Sequence, residues 1–116
     1  MTEILHLTER PLWEAARETG TYEMSTRGRT LEEVGFIHGS ARHQLPRVAE
    51  MLYGAGTPAA GELVVLVIDS ERLTVPVRHE PPVPGADETF PHIYGPLPVD
   101  AVVAVESWTE AESPSH

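Results

Sequence analysis

The sequence predicts an α+β fold, and three observations carry that prediction. Apolar residues recur at helical spacing in two places, first Leu12, Trp13, Ala15 and Ala16, then Leu45, Val48, Ala49 and Leu52. Leu63 to Ile68 is an unbroken run of Leu, Val and Ile, the mark of a buried central strand. Leu73, Val75 and Val77 alternate with Thr74, Pro76 and Arg78, the mark of a half-buried strand. Helices therefore fall early and most strands late, the order of an α+β domain with one mixed or mainly antiparallel sheet.

The elements follow from local chemistry. Ile4 to Leu7 reads as a short strand. Thr8 can cap the helix that follows, Pro11 suits its first turn, and Gly20 stops it. Tyr22 to Ser25 reads as extended, and Thr30 to Val34 as one helical turn in a polar loop. Gly35 breaks that turn and Phe36 to His38 forms a strand. Ser40 can cap the second main helix, Arg42 to Tyr53. Gly54 to Gly61 is a Gly, Ala, Thr and Pro connector. Asp69 to Glu71 turns, and Pro76 puts the next strand at an edge or leaves it with an unpaired position. Glu80 to Thr89 holds three prolines and a glycine and reads as a surface loop that could act as a lid. Phe90 to Tyr94 is extended, Gly95-Pro96 turns, and Val102 to Val105 is the last strand. Residues 1–108 form one domain and 109–116 an acidic, disordered tail.

The 116 residues suffice for one hydrophobic core. No cysteine is present, so disulfides, thiolate zinc sites and a cysteine nucleophile are excluded. No apolar run reaches the length of a membrane span and the N-terminus carries no basic, then apolar leader, so a cytoplasmic location is expected. The net charge is -10. Residues 1–60 carry six Arg against eight acids, and residues 61–116 two Arg against ten. Such a surface repels phosphate backbones, which argues against generic nucleic-acid binding. All eight basic side chains are Arg, whose planar fork suits phosphate and carboxylate. The oligomeric state is left open.

Three histidines sit in apolar segments: Ile4-Leu5-His6-Leu7-Thr8, Gly35-Phe36-Ile37-His38-Gly39-Ser40 and Phe90-Pro91-His92-Ile93-Tyr94-Gly95. One shared pocket is the reading that joins them. Each also has a structural reading. A strand histidine can bond to a backbone carbonyl, and His92 can brace the turn made by its flanking prolines and glycine. Ser40 has the helix cap as its structural role, and Gln44, one turn on, can point into the same pocket. Trp13 and Tyr94 can serve as core aromatics. His43, His79 and His116 read as solvated.

These segments, with Trp13 and Gln44, make the chain resemble domain-of-unknown-function family 952 from Ile4 to about Trp108. The family often has Cys where Gly39 stands. It is thought to be related to the ADP-ribosyltransferase fold and the RNA 2′-phosphotransferases, which hold NAD between two small sheets. The resemblance thus implies a split sheet, a cleft for NAD or ADP-ribose as cofactor, and ADP-ribosyl or phosphate transfer. His6 and Thr8 look like the first-strand pair that contacts the NAD ribose, and His38 and Ser40 like the second-strand His-x-Ser pair. No counterpart of the catalytic Glu of protein-modifying members stands out.

Cleaving a nicotinamide–ribose bond requires donors for the ribose, cations for the pyrophosphate and a ring to stack nicotinamide. The candidates are His38 and His92 for catalysis and His6, Thr8, Ser40, Gln44 and Tyr94 for binding NAD. Arg27, Arg29 or Arg42 could hold phosphate, and Phe36 or Tyr94 could stack. Two other classes remain open. One is a binding module without turnover, for a small ligand or a protein. The other is a metal site of imidazoles with Glu80 or Asp69, which no His-x-His or His-Glu-x-x-His spacing supports, so no metal is expected. Gly39-Ser40 is not a Gly-x-Ser-x-Gly elbow, which argues against a serine hydrolase.

Overall fold

A computed structural model describes residues 2–26, 28–53, 63–81 and 85–108. Strand β1 spans Glu3–Glu9 and runs directly into helix α1, Arg10–Thr19. Thr8 therefore lies within the strand, and the residue at the helix N-cap is Glu9, which makes no side-chain cap bond. Pro11 does sit in the first turn. Gly20 ends the helix in the left-handed region at φ 96°, with its N–H bonded to the Ala16 carbonyl. Short strands β2 (Thr21–Tyr22), β3 (Met24–Thr26) and β4 (Arg29–Thr30) follow. Helix α2, Leu31–Val34, is one turn fixed by a reciprocal capping pair, Thr30 with Glu33.

Strand β5 is Ile37–His38. Beyond it the sequence expectation for Ser40 is corrected. Ser40 exchanges two backbone hydrogen bonds of 2.8 Å with Leu5, extending the β5 line onto β1. Ala41 takes the cap position, and its N–H is satisfied by Gln44 Oε1 at 2.8 Å. The predicted second helix opens with a 3-10 turn, Arg42–Gln44, and continues as α3, Leu45–Tyr53. The Gly54 to Gly61 connector and the 109–116 tail lie outside the described residues.

Strand β6, Leu63–Asp69, is central, as its apolar run predicts: β1 and β10 (Val102–Ser107) flank it, both antiparallel. A 3-10 turn, Ser70–Arg72, is capped by the Asp69 carboxylate. The half-buried strand expected over Leu73 to Val77 is displaced. Strand β7 is Val77–Glu80, and residues 73–76 lie outside any ladder. Pro76 has no N–H to give a ladder, and only its carbonyl pairs, with Tyr94 N–H at 2.8 Å. Strand β8, Phe90–Ile93, lies between β5 and β7, so β7 is an edge as Pro76 suggests. Strand β9, Leu97–Pro98, closes a small ladder with β2. Among the described residues, the single sheet read from the strand pattern is thus two three-stranded antiparallel sheets, joined by the Leu5–Ser40 bridge, and two small ladders.

The layers explain the apolar pattern. One face of β1 and β6, through Ile4, Val64, Leu66 and Ile68, packs against Trp13 and Ala16 of α1, Tyr22, and Ile37 and Ile93 of the second sheet. The opposite face, through Leu5, Leu7, Val65 and Val67, packs against Leu45 and Tyr53 of α3. Strand β6 is covered on both sides, which is why its sequence does not alternate. Gly39 is fixed by close approach: a Cβ there would fall 2.6 Å from Ile4 Cγ2 and 2.8 Å from the Pro91 carbonyl oxygen.

Candidate functional site

The second sheet has one inward and one outward face. Ile37 pairs with Ile93 and both enter the core, so their neighbours point the other way. His38 pairs with His92, and Arg78 pairs with His92 from the far side, which places Arg78, His92 and His38 in one row across three strands. Glu80 shares that face by its two-residue spacing from Arg78. Phe36 and Tyr94, just beyond the ladder, complete the group. Phe36 stacks on His92 with centroids 4.1 Å apart and meets His38 edge-on at 4.9 Å. The two imidazoles lie 5.2 Å apart, nearly perpendicular. The Arg78 guanidinium sits 5.3 Å from the Tyr94 ring centre.

The two histidines differ in their partners. His92 is buried, and its Nδ1 lies 2.8 Å from Glu80 Oε1. The same oxygen accepts the Tyr94 hydroxyl at 2.5 Å. These two bonds, Tyr94 first, hold the Glu80 carboxyl below its usual range, while the bond to Glu80 pushes the Tyr94 phenol up. His38 is exposed at the face, yet partial desolvation and then the nearby His92 lower its pKa. The arrangement supplies one ring anchored by a carboxylate beside one ring free to exchange a proton.

His6 belongs to the interior. Its Nδ1 is 2.6 Å from the His38 carbonyl oxygen and its Nε2 is 2.8 Å from the Tyr22 hydroxyl, which lies 2.7 Å from Thr8 Oγ1. Burial lowers the His6 pKa to about 4, so the ring is neutral at pH 7. A carbonyl only accepts, so Nδ1 carries the proton. Tyr22 then donates to the bare Nε2 and Thr8 donates to Tyr22.

Residues 7–105 match the family described as "Protein of unknown function (DUF952)". The chain belongs to the DUF952 family. Its fold is similar to protein CC0527 from Caulobacter crescentus in two solved structures. The X-ray structure has 30% identity and a TM-score of 0.70, covering 91% of this chain and 85% of that one. The solution NMR structure has 31% identity and a TM-score of 0.71, covering 99% and 93%. No curated protein matches the chain.

The DUF952 chain therefore distributes its predicted site residues over three places. His38, His92, Tyr94 and Phe36 share the outer face of the second sheet. His6 and Thr8 join Tyr22 in the core, so the pocket expected to hold three rings holds two, and the third ring grips the backbone of β5 from inside. Ser40 is at the β1 bridge, and Gln44 is buried in fixing the loop before β8: its Nε2 bonds Glu88 at 2.9 Å and the Thr89 carbonyl at 3.0 Å. Glu88 is also held by Arg47, so Glu88 and Thr89 are tied to the Gln44 turn and the start of α3. Arg42 is engaged by Glu3 and Glu106, Arg29 is exposed near Glu33, and Arg27 lies outside the described residues.

Sequence reasoning missed Arg78 and Tyr22, and it grouped Glu80 with the imidazoles only as a metal ligand, not as the hydrogen-bond partner of His92. The alternation Arg78-His79-Glu80 was the available signal for Arg78 and Glu80, once paired against Phe90 to His92. Among the described residues no three His, Asp or Glu side chains are grouped to hold a metal, and no helix is long and apolar enough to cross a membrane.

Proposed function

We propose that this DUF952 domain binds a small nucleotide of the NAD or ADP-ribose class on the outer face of β5, β8 and β7. His38 and His92 move protons there during ADP-ribosyl or phosphate transfer. The observation that carries the reading is the unequal histidine pair: two imidazoles 5.2 Å apart on one face, one anchored by Glu80 and one free. Arg78 supplies the cation for a phosphate, and Phe36 and Tyr94 supply ring surfaces beside it. The division into two small sheets supports kinship with the ADP-ribosyltransferase fold. Here, however, Tyr22, Leu66, Ile37 and Ile93 fill the space between the sheets, so the ligand is assigned to the outer face rather than to a cleft at His6 and Thr8.

A module that binds without turnover is the second reading. The stacking of Phe36 on His92 and the double bond donation to Glu80 favour it, because a self-supporting ring cluster makes a ready docking surface. Amide NMR mapping with NAD, ADP-ribose and zinc separates these. Shifts centred on His38, His92 and Tyr94 with NAD or ADP-ribose are expected, and their absence for both sinks nucleotide binding. Zinc as the one perturbing ligand transfers the assignment to a metal site. Binding of NAD without nicotinamide release under any supplied acceptor leaves the binding module standing.

A further inference from the structure

We propose that the His38–His92 face hydrolyses small nucleoside 2′,3′-cyclic phosphates by direct attack of water, without a covalent intermediate. The inference rests on the reading above that this face binds a nucleotide, and it names the bond that is cut.

The proton-handling groups come first. Neither ring nitrogen of His38 has a hydrogen-bond partner among the described residues. His92 uses Nδ1 on Glu80, and its Nε2, also without a partner among those residues, is not buried. Open imidazole nitrogens thus stand on two adjacent strands, with different neighbours. His38, neutral at pH 7, can take a proton. His92, with the Glu80 carboxylate at its back, can carry a second proton on Nε2 and give it up. That division of labour serves a reaction in which a weak nucleophile must lose a proton and a poor leaving group must gain one.

The rest of the face selects the bond. It holds no cysteine, and Ser40 is buried at the bridge to β1, so neither supplies a nucleophile and water is left to attack. One guanidinium, Arg78, shares the face with a carboxylate, Glu80, on a chain of net charge -10. Such a field tolerates a single negative charge far better than a phosphomonoester dianion or a polynucleotide. A cyclic phosphodiester is a monoanion with a strained five-membered ring and an alkoxide leaving group. Phe36 and Tyr94 flank the pair and offer surface to the sugar and base.

The step balances without any co-reactant. A water oxygen forms a bond to phosphorus while one ribose oxygen–phosphorus bond breaks. His38 takes one water proton, and His92 gives its Nε2 proton to the departing ribose oxygen. The product is a nucleoside monophosphate monoanion, and solvent returns the proton from His38 to His92. Arg78 holds the non-bridging oxygens.

The test uses the full chain with adenosine 2′,3′-cyclic phosphate and separates the products by chromatography. Conversion to one monophosphate isomer, undiminished by EDTA, is expected. His38→Ala, at an exposed position, should slow it by about 10²-fold or more, the usual weight of one acid–base group. His92→Ala should do the same provided its amide spectrum shows the native fold; if it unfolds, His38→Ala alone decides. Glu80→Gln should move the pH profile, and His79→Ala, on the other side of β7, should change nothing. Turnover unchanged in His38→Ala, or abolished by EDTA, overturns the proposal. If the cyclic nucleotide shifts the His38 and His92 amides but is not cleaved, hydrolysis is wrong and nucleotide binding stands. If it neither shifts them nor is cleaved, and NAD and ADP-ribose also fail, both fall.

Discussion

His6 shows how one buried polar side chain can be accommodated. Both ring nitrogens are bonded, one to the His38 carbonyl and one to Tyr22, and Tyr22 is itself bonded to Thr8. The arrangement works only with a neutral ring, because a second ring proton would face the Tyr22 hydroxyl and displace its donation. Tyr22→Phe leaves Nε2 in the core without a donor and should cost about 1–3 kcal/mol, read by urea unfolding at pH 7. The same ring makes stability depend on pH. Its pKa falls from 6.5 to about 4 on folding, so the unfolded chain takes up the proton first. The His6 contribution is complete above pH 6.5 and is lost as the pH falls from there toward 4. By pH 5 that loss is about 2 kcal/mol. A His6→Gln variant should lack this part of the slope, and an identical slope in the variant would refute the assignment.

At the scale of elements, the second sheet is positioned by close approach. Gly39 lets β5 lie against the Pro91 carbonyl and Ile4, with its N–H bonded to Pro91 O at 2.9 Å. Gly39→Ala should destabilise by about 1–3 kcal/mol through overpacking, measured as a drop in Tm. Any side chain at this position needs a β5–β8 spacing different from this one. Long, repetitive signals were legible. β6 announced itself by an unbroken Val and Ile run, and α1 by its spacing, Pro11 and Gly20. Two-residue strands such as β2 and β9 have too few residues to show a period. Ser40 was misread because a serine before a helix looks like a cap, whereas its backbone is claimed by Leu5, 35 positions away. The candidate face was legible in His38 and His92, which stand in distinctive segments, whereas His6 lies in the core. The roles of Arg78, Glu80 and Tyr22 were not legible, because they come from register and packing.

For the whole molecule, β6 is the spine, packed on one side by α3 and on the other by α1 and the second sheet. Leu66, fully buried opposite His6, should cost about 2–5 kcal/mol on truncation to Ala, more than any exposed ring-face residue, as read from Tm. His6 and Thr8 serve the core, and His38 and His92 stand together on the outer face, so the proposed function separates stability from ligand contact. The chain carries a net charge of -10, and in the proposed reading Arg78 supplies the cation that faces a ligand phosphate. The most direct test of that separation is a histidine side-chain NMR spectrum recorded while ADP-ribose is added. The His38 and His92 ring signals should move together while His6 stays fixed. Movement of His6 with the other two unmoved would contradict the assignment and return the ligand to the space between the sheets.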